Sequence, residues 1–216
     1  MKLLIQLIRI LVGGLFVFSG FVKLVDPIGS QYKFQEYFSE SVLNIEFLIP
    51  YALPFAILLI IAEILLGVMI LIGYKPTLTV WSLFVLTLIF LFLTWYSAYY
   101  DKVTDCGCFG DAIKLTPWET FYKNVLLIGF ILVLLLKIKM IQPIFKGSLP
   151  KVITFLSLAS FLFIVQHVLS HLPLIDFRAY AIGKNLEEGM KYPADGSIAP
   201  VHDFVLEDAQ ADLAPE

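Results

Sequence analysis

Apolar residues run along this chain in long blocks instead of alternating with polar ones. Five blocks stand out: Leu3 to about Leu24, Leu53 to Ile72, Leu78 to Tyr99, Phe121 to Leu136, and Val152 to Leu169. Each approaches the roughly 20 apolar residues that a helix needs to cross a hydrocarbon core about 30 Å thick. A helix also satisfies its own backbone donors and acceptors there, which an isolated strand does not. The pattern therefore predicts five transmembrane helices. The first block has the position of a secretory signal, but it carries Arg9 inside and closes at "KLVDP" without a small-residue cleavage site, so it is expected to stay as a span.

Composition agrees with the pattern. The 216 residues are 59% hydrophobic and 15% charged, too apolar for a soluble domain of this size. The net charge of −3 speaks against a nucleic-acid partner, and membrane lipid is the expected surrounding. No internal repeat or low-complexity tract is visible.

Charge placement gives a direction. Basic residues collect on the cytoplasmic side of membrane proteins. With a cytoplasmic N-terminus, Lys2, Arg9, Lys75, Lys137, Lys139, Lys146 and Lys151 fall inside. The connections from Asp26 to Pro50 and from Tyr100 to Thr120 then face out, as does the tail from His171 to Glu216. This topology predicts a multi-pass membrane protein with the second outer connection and the C-terminus on the non-cytoplasmic, oxidising side.

Both cysteines of the chain lie in that second connection, in "DCGCFGD" at residues 105 to 111. Cys106 and Cys108 stand two apart, near the limit of Cα separation that a disulfide accepts, so a bond between them is strained and easily reduced. Gly107 and Gly110 give the loop backbone freedom. A strained pair on an oxidising face fits a labile or catalytic disulfide. A plain staple is the alternative, although so short a closed loop adds little stability. Zinc is another, since His167 and His171 share a helix face and could complete a tetrahedral set with two thiolates; the expected reading has no metal. Asp105 and Asp111 oppose thiolate formation, so activation is expected from Lys102 or Lys114.

Other polar residues fall inside the spans, where they are costly and therefore paired or functional. Arg9 on the first span and Glu63 on the second are expected to meet, either as an ion pair that holds the two helices in register or as part of a proton or quinone relay. Lys23 is expected to snorkel and Asp26 to cap. Asn124 is expected to reach the thiol loop or to satisfy a carbonyl. Gly13, Gly14, Gly20, Gly67 and Gly73 form small-residue stripes suited to close helix packing. Trp95, Tyr96, Tyr99, Tyr100, Trp118, Phe121 and Tyr122 form an aromatic belt at the outer ends of the spans, bringing the thiols near the membrane surface and within reach of a quinone ring.

The stretch "RILVGGLFVFSGFVKLVDP" resembles the first helix of the DoxX-like membrane family, and "AEILLGVMILIG" resembles its second. "CGCFGD", followed by Trp118 and by Lys123-Asn124, is closer to the MauE branch, the methylamine-utilisation proteins, whose bundle is similar to the membrane half of vitamin K epoxide reductase-like oxidoreductases. The resemblance covers about residues 3 to 140. It implies an all-α polytopic bundle of four helices over residues 1–141, a fifth transmembrane helix over 142–171, and an extracytoplasmic tail over 172–216.

Within the tail, "APVHDFVLED" is similar to the first strand of the thioredoxin-like domain that follows the helices in larger Bacteroidetes-type relatives, without a C-x-x-C after it. The resemblance further implies support of periplasmic thiol-disulfide chemistry or maturation of exported proteins. Cys106 and Cys108 would be the redox pair, a thioredoxin-like or exported protein the partner, and a quinone a possible electron acceptor; whether the chain is itself an enzyme stays open. A non-catalytic assembly or scaffold subunit of a quinone-linked complex is the alternative.

Overall fold

The computed structural model describes residues 2–40, 42–100, 107, 110, 115–171 and 175. Cys106 and Cys108 lie outside the described residues, as do Lys102, Asp105, Asp111 and Lys114. The chain divides into two units, Met1–Arg178 and Ala179–Glu216, and the second lies wholly outside the described residues.

Six α-helices are found among the described residues: α1 (Lys2–Val25), α2 (Pro27–Phe38), α3 (Ala52–Ile72), α4 (Pro76–Tyr100), α5 (Pro117–Leu136) and α6 (Leu149–Ser170). Short 3₁₀ helices cover Glu46–Tyr51 and Ile138–Met140. All the helices except α2 are long and apolar enough to cross a membrane, and their bounds follow the five predicted blocks closely. The fold is all-α and polytopic, as expected, with no strand among the described residues.

The helix ends are written in the sequence. Thr116 and Glu119 form a reciprocal capping box at the start of α5, with Pro117 at the first helical position. Asp26, expected to cap at the outer end of the first span, caps the start of α2: its Oδ1 accepts from the Gly29 amide at 3.1 Å. The helix that this cap begins lies where a plain connection was expected. Asp26-Pro27 is a helix-start signal, but the segment is short and weakly amphipathic, so apolar periodicity did not reveal it. Gly73 ends α3 in the left-handed conformation with φ 72°, and a Cβ there would stand 2.6 Å from the Gln142 carbonyl oxygen.

α1 and α3 run antiparallel and make the most extensive contact in the bundle; α4 and α5 form the second pair, and α1 also touches α5. Val12, Phe16, Ile70, Val80, Leu83, Ile131 and Leu134, drawn from these four helices, form the central apolar cluster. α6 packs on α3 and α1 from outside. Only 6% of its span is buried, against 44% for the span containing α3, so it is a peripheral addition to a four-helix core.

Glycine makes the α1–α3 contact possible. A Cβ on Gly20 would lie 2.7 Å from Ile64 Cβ and 2.9 Å from the Ile64 backbone nitrogen. A Cβ on Gly67 would lie 2.8 Å from the Val17 backbone nitrogen. Backbone atoms cannot rotate away, so both positions exclude a side chain. Two of the expected stripe glycines do something else. Gly14 has nothing within 4 Å of its would-be Cβ, and Gly73 serves the helix end described above.

These contacts predict the effect of adding a methyl group. Gly20→Ala and Gly67→Ala should each cost about 1–3 kcal/mol through overpacking, lowering the thermal midpoint in detergent by about 2–10 °C for a chain of this size. Gly14→Ala should leave the midpoint unchanged. Equal behaviour of all three variants in a fluorescence melt would mean that α1 and α3 are not held this closely.

Candidate functional site

The α1–α3 register decides which polar side chains meet. With Gly20 seated on Ile64, Lys23 lies one turn further along α1 and faces Glu63 on α3. Lys23 Nζ donates to Glu63 Oε2 at 2.7 Å, and the two side chains are only 5% and 4% exposed. The Phe90 ring of α4 sits 5.2 Å from the same ammonium, a distance at which the ring quadrupole attracts the cation. Both formal charges are thus compensated inside the helix bundle, which is the condition for carrying them there.

Two expectations are corrected here. Arg9 does not meet Glu63. It lies fourteen residues before Lys23, about 21 Å along α1 at 1.5 Å per residue, because the antiparallel register carries it to the opposite end of α3. Its Nη1 donates to the Gln142 carbonyl at 3.0 Å in the connection before α6, and its Nε has no partner among the described residues. Lys23 does not snorkel either. Glu63 holds it inside the bundle, in the register that the Gly20–Ile64 contact sets.

Small cavities flank the ion pair. One, with room for about 30 Å³ of water centres, is lined in part by Ser19, Lys23, Glu63, Lys123 and Asn124. The other, about 50 Å³ on the same measure, is lined in part by Lys23, Ser30, Lys33, Tyr37, Thr94 and Gly107. At about 10–15 Å³ per water centre, each has space for a few waters. Asn124 Nδ2 donates to Thr94 Oγ1 at 3.3 Å, so Asn124 joins the two cavities' walls through a hydroxyl and satisfies no backbone carbonyl there. Thr94 Oγ1 in turn donates to the Phe90 carbonyl at 2.8 Å. Tyr37 and Ser97 share a buried hydrogen bond of 3.1 Å beside them. Lys33, Phe90 and Thr94 were not singled out from sequence. Only the distance between α2 and α4 in the chain hid them, since each is unremarked until the fold brings it to Lys23.

The cavity nearer the connection between α4 and α5 is where the cysteine motif meets this polar group. Gly107, bonded to both cysteines in the chain, has φ 61°, and a Cβ on it would lie 3.0 Å from Lys33 Cγ. Gly110, with φ 49°, donates its amide to the Gly107 carbonyl at 3.2 Å and approaches Val22 of α1. Both positions favour glycine because left-handed backbone penalises a Cβ. The Lys33 ammonium lies 3.1 Å from Glu36 Oε2, so the cation beside Gly107 is a half-exposed member of a local pair.

Elsewhere, His167 and His171 stack ring on ring at 4.6 Å, with His171 Nδ1 3.2 Å from the His167 carbonyl. The belt aromatics stack along α4 and α5, and Tyr96 also donates to the Val42 carbonyl at 2.8 Å, fastening α4 to the segment after α2.

A buried pair of this kind is far weaker as a single charge than as none. Lys23→Met or Glu63→Leu alone should destabilise the protein by about 3–5 kcal/mol. The double variant should recover most of that loss, read as a positive coupling in a double-mutant cycle on detergent unfolding. Additive losses would contradict the contact.

No curated protein and no solved structure matches this chain. A family description does: the methylamine utilisation protein MauE matches residues 1–137, which cover the paired helices α1, α3, α4 and α5 and the cysteine-bearing connection. With that match over more than half of its length, the chain belongs to the MauE family of membrane proteins.

Proposed function

We propose that this chain exchanges electrons with exported proteins through Cys106 and Cys108, on the periplasmic side of a bacterial inner membrane, with its N-terminus in the cytoplasm. The observation that carries the reading is the position of Gly107. The residue joining the two cysteines lines a cavity with Lys33 and Lys23, two ammonium groups each paired with a carboxylate, in a space large enough for a few waters. Cationic neighbours favour the thiolate, the form that attacks disulfides. Lys33 joins Lys102 and Lys114, which lie outside the described residues, as a source of that activation.

The reaction is thiol–disulfide exchange. A thiolate of the pair attacks one sulfur of a partner's disulfide, forming an intermolecular bond and expelling the partner's other sulfur as a thiolate. The second cysteine then attacks that bond, leaving the partner as a dithiol and the pair oxidised; the reverse sequence oxidises the partner. The relative reduction potentials set the direction. In the first direction the partner's disulfide is the oxidant and in the reverse the Cys106–Cys108 disulfide is; a single round needs no other, and repeated rounds need a second thiol or quinone partner to reset the pair. The buried Lys23–Glu63 pair holds α1 and α3, the supports on which the Gly107–Gly110 turn rests.

The family's description names methylamine utilisation, so proteins exported for that use are the first partners to test. Sidedness is supported by the charge distribution. Arg9, Lys75, Lys137, Lys139, Lys146 and Lys151 lie at one end of the bundle, and Asp26, Glu36, Glu40 and Glu46 at the other. With five spans and a cytoplasmic N-terminus, the C-terminus is proposed to be periplasmic, like the cysteine motif.

Trapping tests the reading. Cys106→Ser or Cys108→Ser should accumulate a mixed disulfide with an exported protein, visible as a reducible shift on a gel, and a membrane-impermeant thiol reagent should label the remaining cysteine from outside. Absence of any adduct in both variants, with the pair's redox state indifferent to added thiols and quinone, would leave the assembly-subunit reading in its place.

A further inference from the structure

The end of the bundle away from the cysteine motif carries a second recess that the redox reading does not use. It forms where α3 ends and where α4 and α6 begin, and Lys75, Lys146, Lys151, Tyr74, Pro76 and Pro150 contribute to its wall. Its volume is about 480 Å³, against about 30 and 50 Å³ for the cavities beside Lys23. A recess of that size accepts a small organic group.

Its chemistry is one-sided. No Asp or Glu occurs in the sequence from 64 to 100 or from 120 to 175, the stretches that build this end from α3, α4, α5 and α6, and none precedes Asp26 in α1. The three lysines are exposed and make no salt bridge among the described residues. α4 and α6 both start at this recess, so the positive ends of two helix dipoles add to the lysines. Arg9 contributes a further buried positive charge beneath it through its bond to the Gln142 carbonyl.

The recess is also built rather than improvised. The Ile144 amide donates to the Ile72 carbonyl at 3.0 Å, and Arg9 holds Gln142 from below, so the floor is pinned by two contacts distant in sequence. Gly73 lets that floor approach α3 more closely than any side chain would permit. Lys75 takes a φ of 41°, an uncommon conformation for a residue with a side chain, immediately before Pro76. Because α3, α4 and α6 all leave the apolar region here, the recess lies at headgroup depth, with exposed Ile144 and Phe145 beside it.

We propose that this recess binds the phosphate of an anionic phospholipid, with Lys75, Lys146 and Lys151 as its ligands and the acyl chains lying against the outer faces of α4 and α6. Lysines that merely orient the chain in the membrane would need no recess, and Lys137 and Lys139, at the same end but outside its wall, supply the comparison.

The test uses the full chain in detergent micelles with added lipid, read by native mass spectrometry. The wild type should retain phosphatidylglycerol in preference to phosphatidylcholine. Each lysine near an anionic headgroup is worth about five-fold in binding, so K146Q/K151Q should lose about 25-fold of that preference. K137Q/K139Q, which removes the same charge, should lose no more than about two-fold. Similar losses in both double variants would show a diffuse field in place of a site and overturn the proposal, as would equal retention of the two lipids by the wild type. Inorganic phosphate forms the remaining arm. If it displaces phosphatidylglycerol at millimolar concentration and binds the delipidated protein as well, the lipid assignment falls and the recess is a site for soluble phosphate. A thermal melt of each variant confirms that it is folded, so that lost binding is not lost structure.

Discussion

The antiparallel approach of α1 and α3 is the constraint on which the rest of the molecule depends. In a bilayer, helices gain little from hiding apolar surface from one another, since lipid tails are equally apolar, so close packing and satisfied polar groups must hold them. Gly20 and Gly67 permit backbone contact, and that contact fixes the register in which Lys23 reaches Glu63. The same register sends Arg9 to the far end, where it secures the connection leading to α6. One sliding coordinate thus sets both ends: the support beneath Gly107 and the floor held by Gln142.

Much of the architecture was legible from sequence because the bilayer imposes a length on every apolar block. The blocks beginning at Leu3, Leu53, Leu78, Phe121 and Val152 each became a helix, and the caps at Asp26 and Thr116 read as written. What sequence did not give was pairing. Arg9 and Glu63 are the obvious opposite charges on neighbouring spans, and only the register, carried by glycines whose partners are unknown until the helices are placed, shows that Lys23 stands opposite Glu63 instead. Counting backwards along the second span from a Gly20 contact brings Glu63 to Lys23 and leaves Arg9 several turns away.

The candidate site was legible only in part for a related reason. Cysteine is rare enough here that the motif at residues 105 to 111 announces itself, but its neighbours come from α2, an element with almost no apolar signal. Lys33 and Tyr37 reach the cavity because α2 folds back over the bundle, and the Asp26-Pro27 start was the sole local hint of it. Polar residues on α4 were hidden differently. Thr87, Thr94 and Ser97 each return their hydroxyl to a carbonyl of their own helix, and Thr79 to the Tyr74 and Lys75 carbonyls just before it, which lets them be buried among apolar neighbours without advertising a partner. Two of them are also drawn into contacts between helices: Thr94 accepts from Asn124 of α5, and Ser97 shares a hydrogen bond with Tyr37 of α2.

The shallow seating of α6 has its own meaning for how such a chain can diversify. A rib that most of its neighbours barely touch can drift in sequence, shift its tilt or accept new cargo at its end while the other four keep their arrangement. Its outward positions meet lipid instead of protein, so many apolar side chains of different shape serve there equally well.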